Sequence, residues 1–168
     1  MDERCKEIIW KQFGAAIDAL ENAIIACPDE TWGSDDIKPD FWYMVYHTLF
    51  WLDYYLSDNP SEYVPPSPFT LAEADPAGVL PDRVYTKAEM LSFLAIGRAN
   101  SRRLIANMTE ERGARLVQLS RVAIPTSELV LYTMRHIQHH TGQLNFLLRQ
   151  RHDIGSRWTF GSKVGLRD

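Results

Sequence analysis

The chain has 168 residues, 45% hydrophobic and 24% charged, enough to bury a core without staples and unlike a disordered composition. A formal net charge of -4 offers no basic excess to neutralise phosphates, so a nucleic-acid partner is not expected. Two cysteines, Cys5 and Cys27, make neither a disulfide framework nor a C-x-x-C pair, and both are expected as buried free thiols.

The start, MDERCKEIIWKQF, carries charges where a secretory leader needs an apolar run. No apolar run of about 18 residues follows anywhere, so a cytoplasmic, single-domain protein (1–168) with no membrane partner is expected. Trp10, Phe13, Ile17, Leu20 and Ile24 recur three and four apart and predict a helix over about 3–26. CPDETWGSDDIKP then reads as a loop. A second helix is predicted over about 40–56, with Asp40 at its N-cap. The segment SDNPSEYVPPSPFTLAEADPAGVLPDRVY, rich in Pro and acidic residues, is long for a structureless connection. It is expected to be a covering loop or a crossover, with a helical turn near Leu71.

Thr86-Lys87-Ala88-Glu89 has the form of a capping box and opens a third helix over about 86–108. RLVQLSRVAI reads as a short extended piece stopped by Pro125. Thr126 or Ser127 is expected to cap a fourth helix over about 126–151. Residues 152–168 are expected to form a loosely packed tail, with His152 facing solvent or serving as a cation at the helix end. Four helices with a long connection between the second and third predict an all-α fold of the four-helix-bundle kind.

Three of the five histidines fall in RHIQHHTGQL. At about 100° per residue, with His136 at zero, His140 lies at about +40°, Gln143 at about -20° and Leu129 and Leu147 at about +20°. On this reckoning His136 and His140 occupy the centre of the apolar stripe and His139, at about -60°, its edge. Histidines four apart on a helix can offer two imidazoles to one ion. Ile137 stands where H-E-x-x-H would need Glu, which excludes that metalloprotease motif. On the second helix His47 lies within about 60° of Met44, Trp51, Tyr54 and Tyr43, and is expected in the middle of an aromatic-rich buried face.

A buried polar group without a partner costs on the order of 1–3 kcal/mol, and a divalent metal satisfies several imidazole lone pairs at once. The candidate ligands are therefore His47, His136 and His140. Hydrogen-bonded structural histidines are the alternative, and a ligand shifted from His140 to His139 is disfavoured by the helical angle. Gln143, Tyr43 and Tyr54 are candidates to hydrogen-bond the ligands, against the simpler reading of core packing. Asp53, about 120° from the line of His47, does not complete the set.

The histidine within VYHTLFWLDYYL, the late H-x-x-x-H and the T-G-Q around its end resemble the DinB/YfiT-like superfamily of metal-binding four-helix bundles. The likeness runs in element order from Glu3 to Gln150. The family's motif usually reads H-x-x-H-H-R-G-Q, and Thr141 stands here in place of Arg. The resemblance implies a bundle of up-up-down-down type and a divalent metal, often zinc or nickel, on His47, His136 and His140, with His139 at a non-ligand position. It also implies a range of activities: some members are thiol-dependent S-transferases or isomerases whose metal binds a low-molecular-weight thiol, and others have no known activity.

Three imidazoles leave coordination positions open to water or thiolate, and a cation there lowers the pKa of either. The expected function is thus a metal-dependent transferase or hydrolase acting on a small molecule. The alternative is a non-catalytic module, stress-responsive or binding, stapled by a structural metal. Structural zinc is normally closed by four protein ligands, which favours the enzyme. A homodimer is expected, and Trp10, Trp32 and Trp42 are open to either the core or its interface.

Overall fold

Asp2 starts the first helix, α1 (Glu3–Ala26): its carboxylate accepts from the Cys5 N–H at 2.8 Å. The stripe of Trp10, Phe13, Ile17, Leu20 and Ile24 is buried along it. The computed structural model describes residues 1–34, 36, 39–119 and 122–167. The other six residues belong to the predicted loop (35, 37, 38), the extended piece (120, 121) and the tail (168), and lie outside the described residues.

A single turn, α2 (Asp29–Trp32), interrupts the predicted loop and buries Trp32. The remaining long helices are α3 (Phe41–Tyr55), α4 (Lys87–Ala106) and α6 (Thr126–His152), with a short α5 (Glu110–Ala114) before the last. The capping box of α4 is formed in both directions: the Glu89 N–H donates to Thr86 Oγ1 at 3.2 Å, and the Thr86 N–H to Glu89 Oε2 at 2.7 Å. The extended piece forms an antiparallel pair, β1 (Leu116–Gln118) with β2 (Ala123–Pro125).

The start of α6 differs from expectation. Pro125 holds the N-cap position, because β2 runs straight into the helix and a proline there has no N–H to leave unpaired. Thr126 and Ser127 instead turn their hydroxyls backward, donating to the carbonyls of Arg115 (2.9 Å) and Gly113 (3.1 Å). At the far end Asp153, at φ 54°, closes the helix in the left-handed conformation after a last turn containing Arg149, Arg151 and His152.

The molecule is mostly helical, and its core draws on all four long helices. α1 and α3 each pack against both α4 and α6. Side-chain pairs give the directions. Lys6 reaches the Ala106 carbonyl and Lys87 the Cys27 carbonyl, so α1 and α4 are antiparallel. His47 meets His136, and Tyr55 meets Tyr132, so α3 and α6 are antiparallel as well. Met1 and Ile9 share a cavity with Ser127 and Val130, while Thr31 bonds His152, so α1 and α6 run together. Trp42 packs on Tyr85 and Asp53 bonds Asn100, so α3 and α4 also run together.

These contacts give up, down, down, up rather than the up-up-down-down order that the family resemblance implied. The long connection follows from this. Two parallel helices joined in sequence require the chain to return along one of them, here about 22 Å at 1.5 Å per residue. Residues 56–86 make that return against α3, with Tyr63 bonded to Asp53, Thr70 to Tyr46 and Tyr85 packed on Trp42. Single 3₁₀ turns occur at Pro60–Glu62 and Ala72–Ala74, the second beside the turn expected near Leu71.

Two further expectations are corrected. Cys5 is exposed, where its bond to the Asp2 cap holds it, and only Cys27 is buried. The tail is not loose. Trp10 Nε1 donates to the Val164 carbonyl at 2.8 Å, the Lys163 N–H to buried Asp18 at 2.7 Å, and Arg102 to the Leu166 carbonyl at 3.0 Å. Trp10, Trp32 and Trp42 all belong to the core, while Trp158 is 85% exposed. Among the described residues no helix is long and apolar enough to cross a membrane.

Candidate metal centre

His47 stands on α3 one turn after Tyr43 and one turn before Trp51, a spacing that lines three side chains along one flank. His136 and His140 are one turn apart on α6. Where the two antiparallel helices meet, the three imidazoles converge. His47 Nε2 lies 3.2 Å from His136 Nε2, and His140 Nε2 lies 3.1 Å from the same atom. One nitrogen of each falls within 4.8 Å of the others, and no carboxylate or thiol joins the group among the described residues.

The histidines are not at the centre of a buried face. The buried line of α6 is Thr133, Ile137, Thr141, Leu144 and Leu148. Measured from Ile137, His140 lies about 60° and His136 about 100° round the helix. The apolar stripe read from sequence left out Thr133 and Thr141, which are small enough to sit in the core; Thr133 returns its hydroxyl to the Leu129 carbonyl at 2.8 Å. His139 is exposed, farther out than the stripe's edge. On α3 likewise, Val45, Leu49 and Leu52 are fully buried, whereas Tyr43, His47, Trp51 and Tyr54 form a half-buried flank. The seam is therefore half-open to solvent. A depression of about 510 Å³, lined by Tyr132, Arg135, His136, Gln138 and His139, opens beside it.

Behind the imidazoles sits a residue that sequence reasoning missed. Glu73, in the 3₁₀ turn of the returning connection, accepts from His47 Nδ1 at 2.6 Å, from Trp51 Nε1 at 3.0 Å and from the Tyr43 hydroxyl at 2.8 Å. Its side chain is 7% exposed against 28% for His47. Burial pushes the Glu73 carboxyl up, but the His47 bond and charge, with Tyr43 and Trp51, outweigh it and hold the group below the ordinary carboxylate range. The signal that could have revealed it is the stripe of ring donors at 43, 47 and 51, which calls for an acceptor. Sequence offers several acids in the connection and no means to choose among them.

Of the proposed neighbours, Gln143 accepts from His140 Nδ1 through Oε1 at 2.7 Å. Tyr43 reaches the site only through Glu73. Tyr54 packs against Phe50, Trp51, Tyr55 and Tyr63 instead. Asp53 is occupied elsewhere, accepting from Tyr63 and Asn100. His136 Nδ1 is buried with no hydrogen-bond partner among the described residues.

These bonds fix protons. An ionised Glu73 can only accept, so His47 carries its hydrogen on Nδ1 and turns the Nε2 lone pair to the cluster. Gln143 Oε1 does the same for His140. Burial lowers the His136 pKa to about 4, with His140, His47 and His139 adding to the effect and Glu73 opposing it. Burial also lowers that of His140, against the Gln143 bond. Both shifts favour the neutral imidazole at His136 and His140. No family model matches the chain, and no curated protein or solved structure matches it either.

Proposed function

We propose that this protein is a metal-dependent enzyme of the DinB/YfiT-like kind, with a divalent ion, zinc or nickel, on His47, His136 and His140. One observation carries the reading: the Nε2 atoms of His47 and His140 both close on His136 Nε2 while the Nδ1 hydrogens of His47 and His140 are committed to outward partners. With its proton on Nε2, His136 can donate well to only one of its two neighbours; with the proton on Nδ1, lone pairs oppose at 3.1 and 3.2 Å and the buried N–H has no acceptor among the described residues. A cation relieves all three together. Ligands about 2.05 Å from a tetrahedral ion stand roughly 3.3 Å apart, close to the two spacings made by His136 Nε2, with the three ligand atoms all within 4.8 Å.

The donor set fits borderline metals, since neutral imidazole suits zinc and nickel alike. Three protein ligands leave a position for an incoming group, and the half-open seam leaves a way to it. Bound there, the metal supplies a positive charge that lowers the pKa of a thiol or water and makes it nucleophilic at neutral pH. The chain holds the His47 and His140 imidazoles in one tautomer and one orientation, through Glu73 and Gln143. A low-molecular-weight thiol with an electrophilic co-substrate, or a hydrolysable ester, amide or thioester, is the proposed substrate class.

Elemental analysis of protein purified without a metal-affinity tag tests the metal. About one divalent ion per chain is expected, as one three-histidine site requires. Activity is tested by saturable consumption of a thiol that stops on chelation and returns with zinc or nickel. Loss of metal that lowers only the melting temperature, with no turnover in thiol-transfer or hydrolytic assays, would favour the structural staple instead.

A further inference from the structure

The returning connection touches the site through one buried carboxylate. Glu73 satisfies three ring donors of α3, and only His47 among them belongs to the histidine cluster. The same stretch is held on the helix by Tyr46, whose hydroxyl donates to the Thr70 carbonyl at 2.7 Å, and by Phe69, stacked between Tyr46 and Phe93. Within the turn, the Ala74 N–H bonds the Leu71 carbonyl at 2.9 Å and the Asp75 N–H the Ala72 carbonyl at 3.1 Å. Glu73 can therefore meet His47 only while this stretch lies docked on α3.

We propose that Glu73 is a positioning residue that couples metal affinity to docking of the 70–75 stretch, so that each favours the other. This rests on the metal reading of the three histidines. Docking orients the His47 ring and holds its hydrogen on Nδ1, which leaves Nε2 free to bind. Metal on Nε2 draws charge from the ring and makes Nδ1–H a stronger donor to the carboxylate. Coupling between two binding events is reciprocal: the factor by which docking tightens metal is the factor by which metal tightens docking.

The test measures zinc affinity by competition with a chromophoric chelator, and hydrogen exchange at the Ala74 and Asp75 amides with and without zinc, on the full chain. Glu73→Ala is expected to weaken zinc by about 10- to 100-fold, Glu73→Gln by less, and Glu73→Asp to recover part of the loss. Zinc should slow exchange at Ala74 and Asp75 in the wild type and leave it unchanged in Glu73→Ala. Tyr46→Phe loosens the stretch without touching the carboxylate, and should weaken zinc by a smaller factor. It keeps the question answerable if Glu73→Ala is poorly folded. Unaltered affinity in Glu73→Ala, or zinc-independent exchange in the wild type, overturns the coupling while leaving the metal site standing. A wild type that takes up no zinc overturns the metal reading itself, and the coupling with it.

Discussion

At the scale of single residues, the three clustered histidines of α6 have unlike surroundings. His136 meets both His47 and His140 nitrogen to nitrogen, whereas His139 is exposed and lies edge-on to the His140 ring. His136→Ala is expected to abolish metal uptake and His139→Ala to leave it intact; equal losses measured by elemental analysis would refute the assignment. Gln143 sits between these extremes. It donates nothing to the ion and only fixes the His140 tautomer, so Gln143→Ala should weaken metal binding by about tenfold, read by the same chelator competition.

At the scale of elements, the start of α4 is the clearest case of sequence chemistry becoming structure. Thr86→Ala removes the hydroxyl cap and should cost about 1 kcal/mol in urea unfolding. Glu89 adds a pH dependence. Its Arg83 bonds first, and then the Thr86 N–H, depress its carboxyl from 4.5 to about 2 in the folded chain. A depressed carboxyl contributes stability that is complete above pH 4.5 and is lost as pH falls through about 2. Glu89→Gln should therefore lower stability near neutral pH and flatten its acid dependence across that window. The contact of α3 with α4 depends on Gly97, where an added Cβ would stand 2.9 Å from Leu52 Cδ2. Gly97→Val should cost about 2 kcal/mol by overpacking. Gly142 has nothing within 4 Å of a Cβ, so Gly142→Ala should instead add about 0.5–1 kcal/mol.

At the scale of the whole molecule, the tail closes over α1 through a buried acid. Asp18 accepts from Arg98 at 2.8 Å and from the Lys163 N–H at 2.7 Å. Removing it by Asp18→Ala strands the Lys163 N–H, leaves Arg98 to Glu21, and should cost about 2 kcal/mol, with the tail becoming sensitive to protease; a tail still protected would show that the apolar contacts of Leu166 suffice. Metal adds a second, separable contribution. Zinc at a hundredfold excess over its Kd should stabilise the wild type by about 2.7 kcal/mol and His140→Ala not at all.

What the sequence alone determined was local. Apolar spacing placed the long helices, the Thr86–Glu89 pair located the start of α4, and the i, i+4 step put His136 and His140 side by side. These follow from the 3.6-residue period and from hydrogen bonds a few residues long, which neighbours in the chain dictate. The tertiary structure decided what depends on distant partners. It set the helix directions, which send residues 56–86 back along α3. It placed the histidines on a half-open flank rather than a core line, because Thr133 and Thr141 could fill the core. It also brought Glu73 across 26 residues to His47. Periodicity reports which residues share a face, but which face is covered, and by what, is settled only when the other elements pack against it.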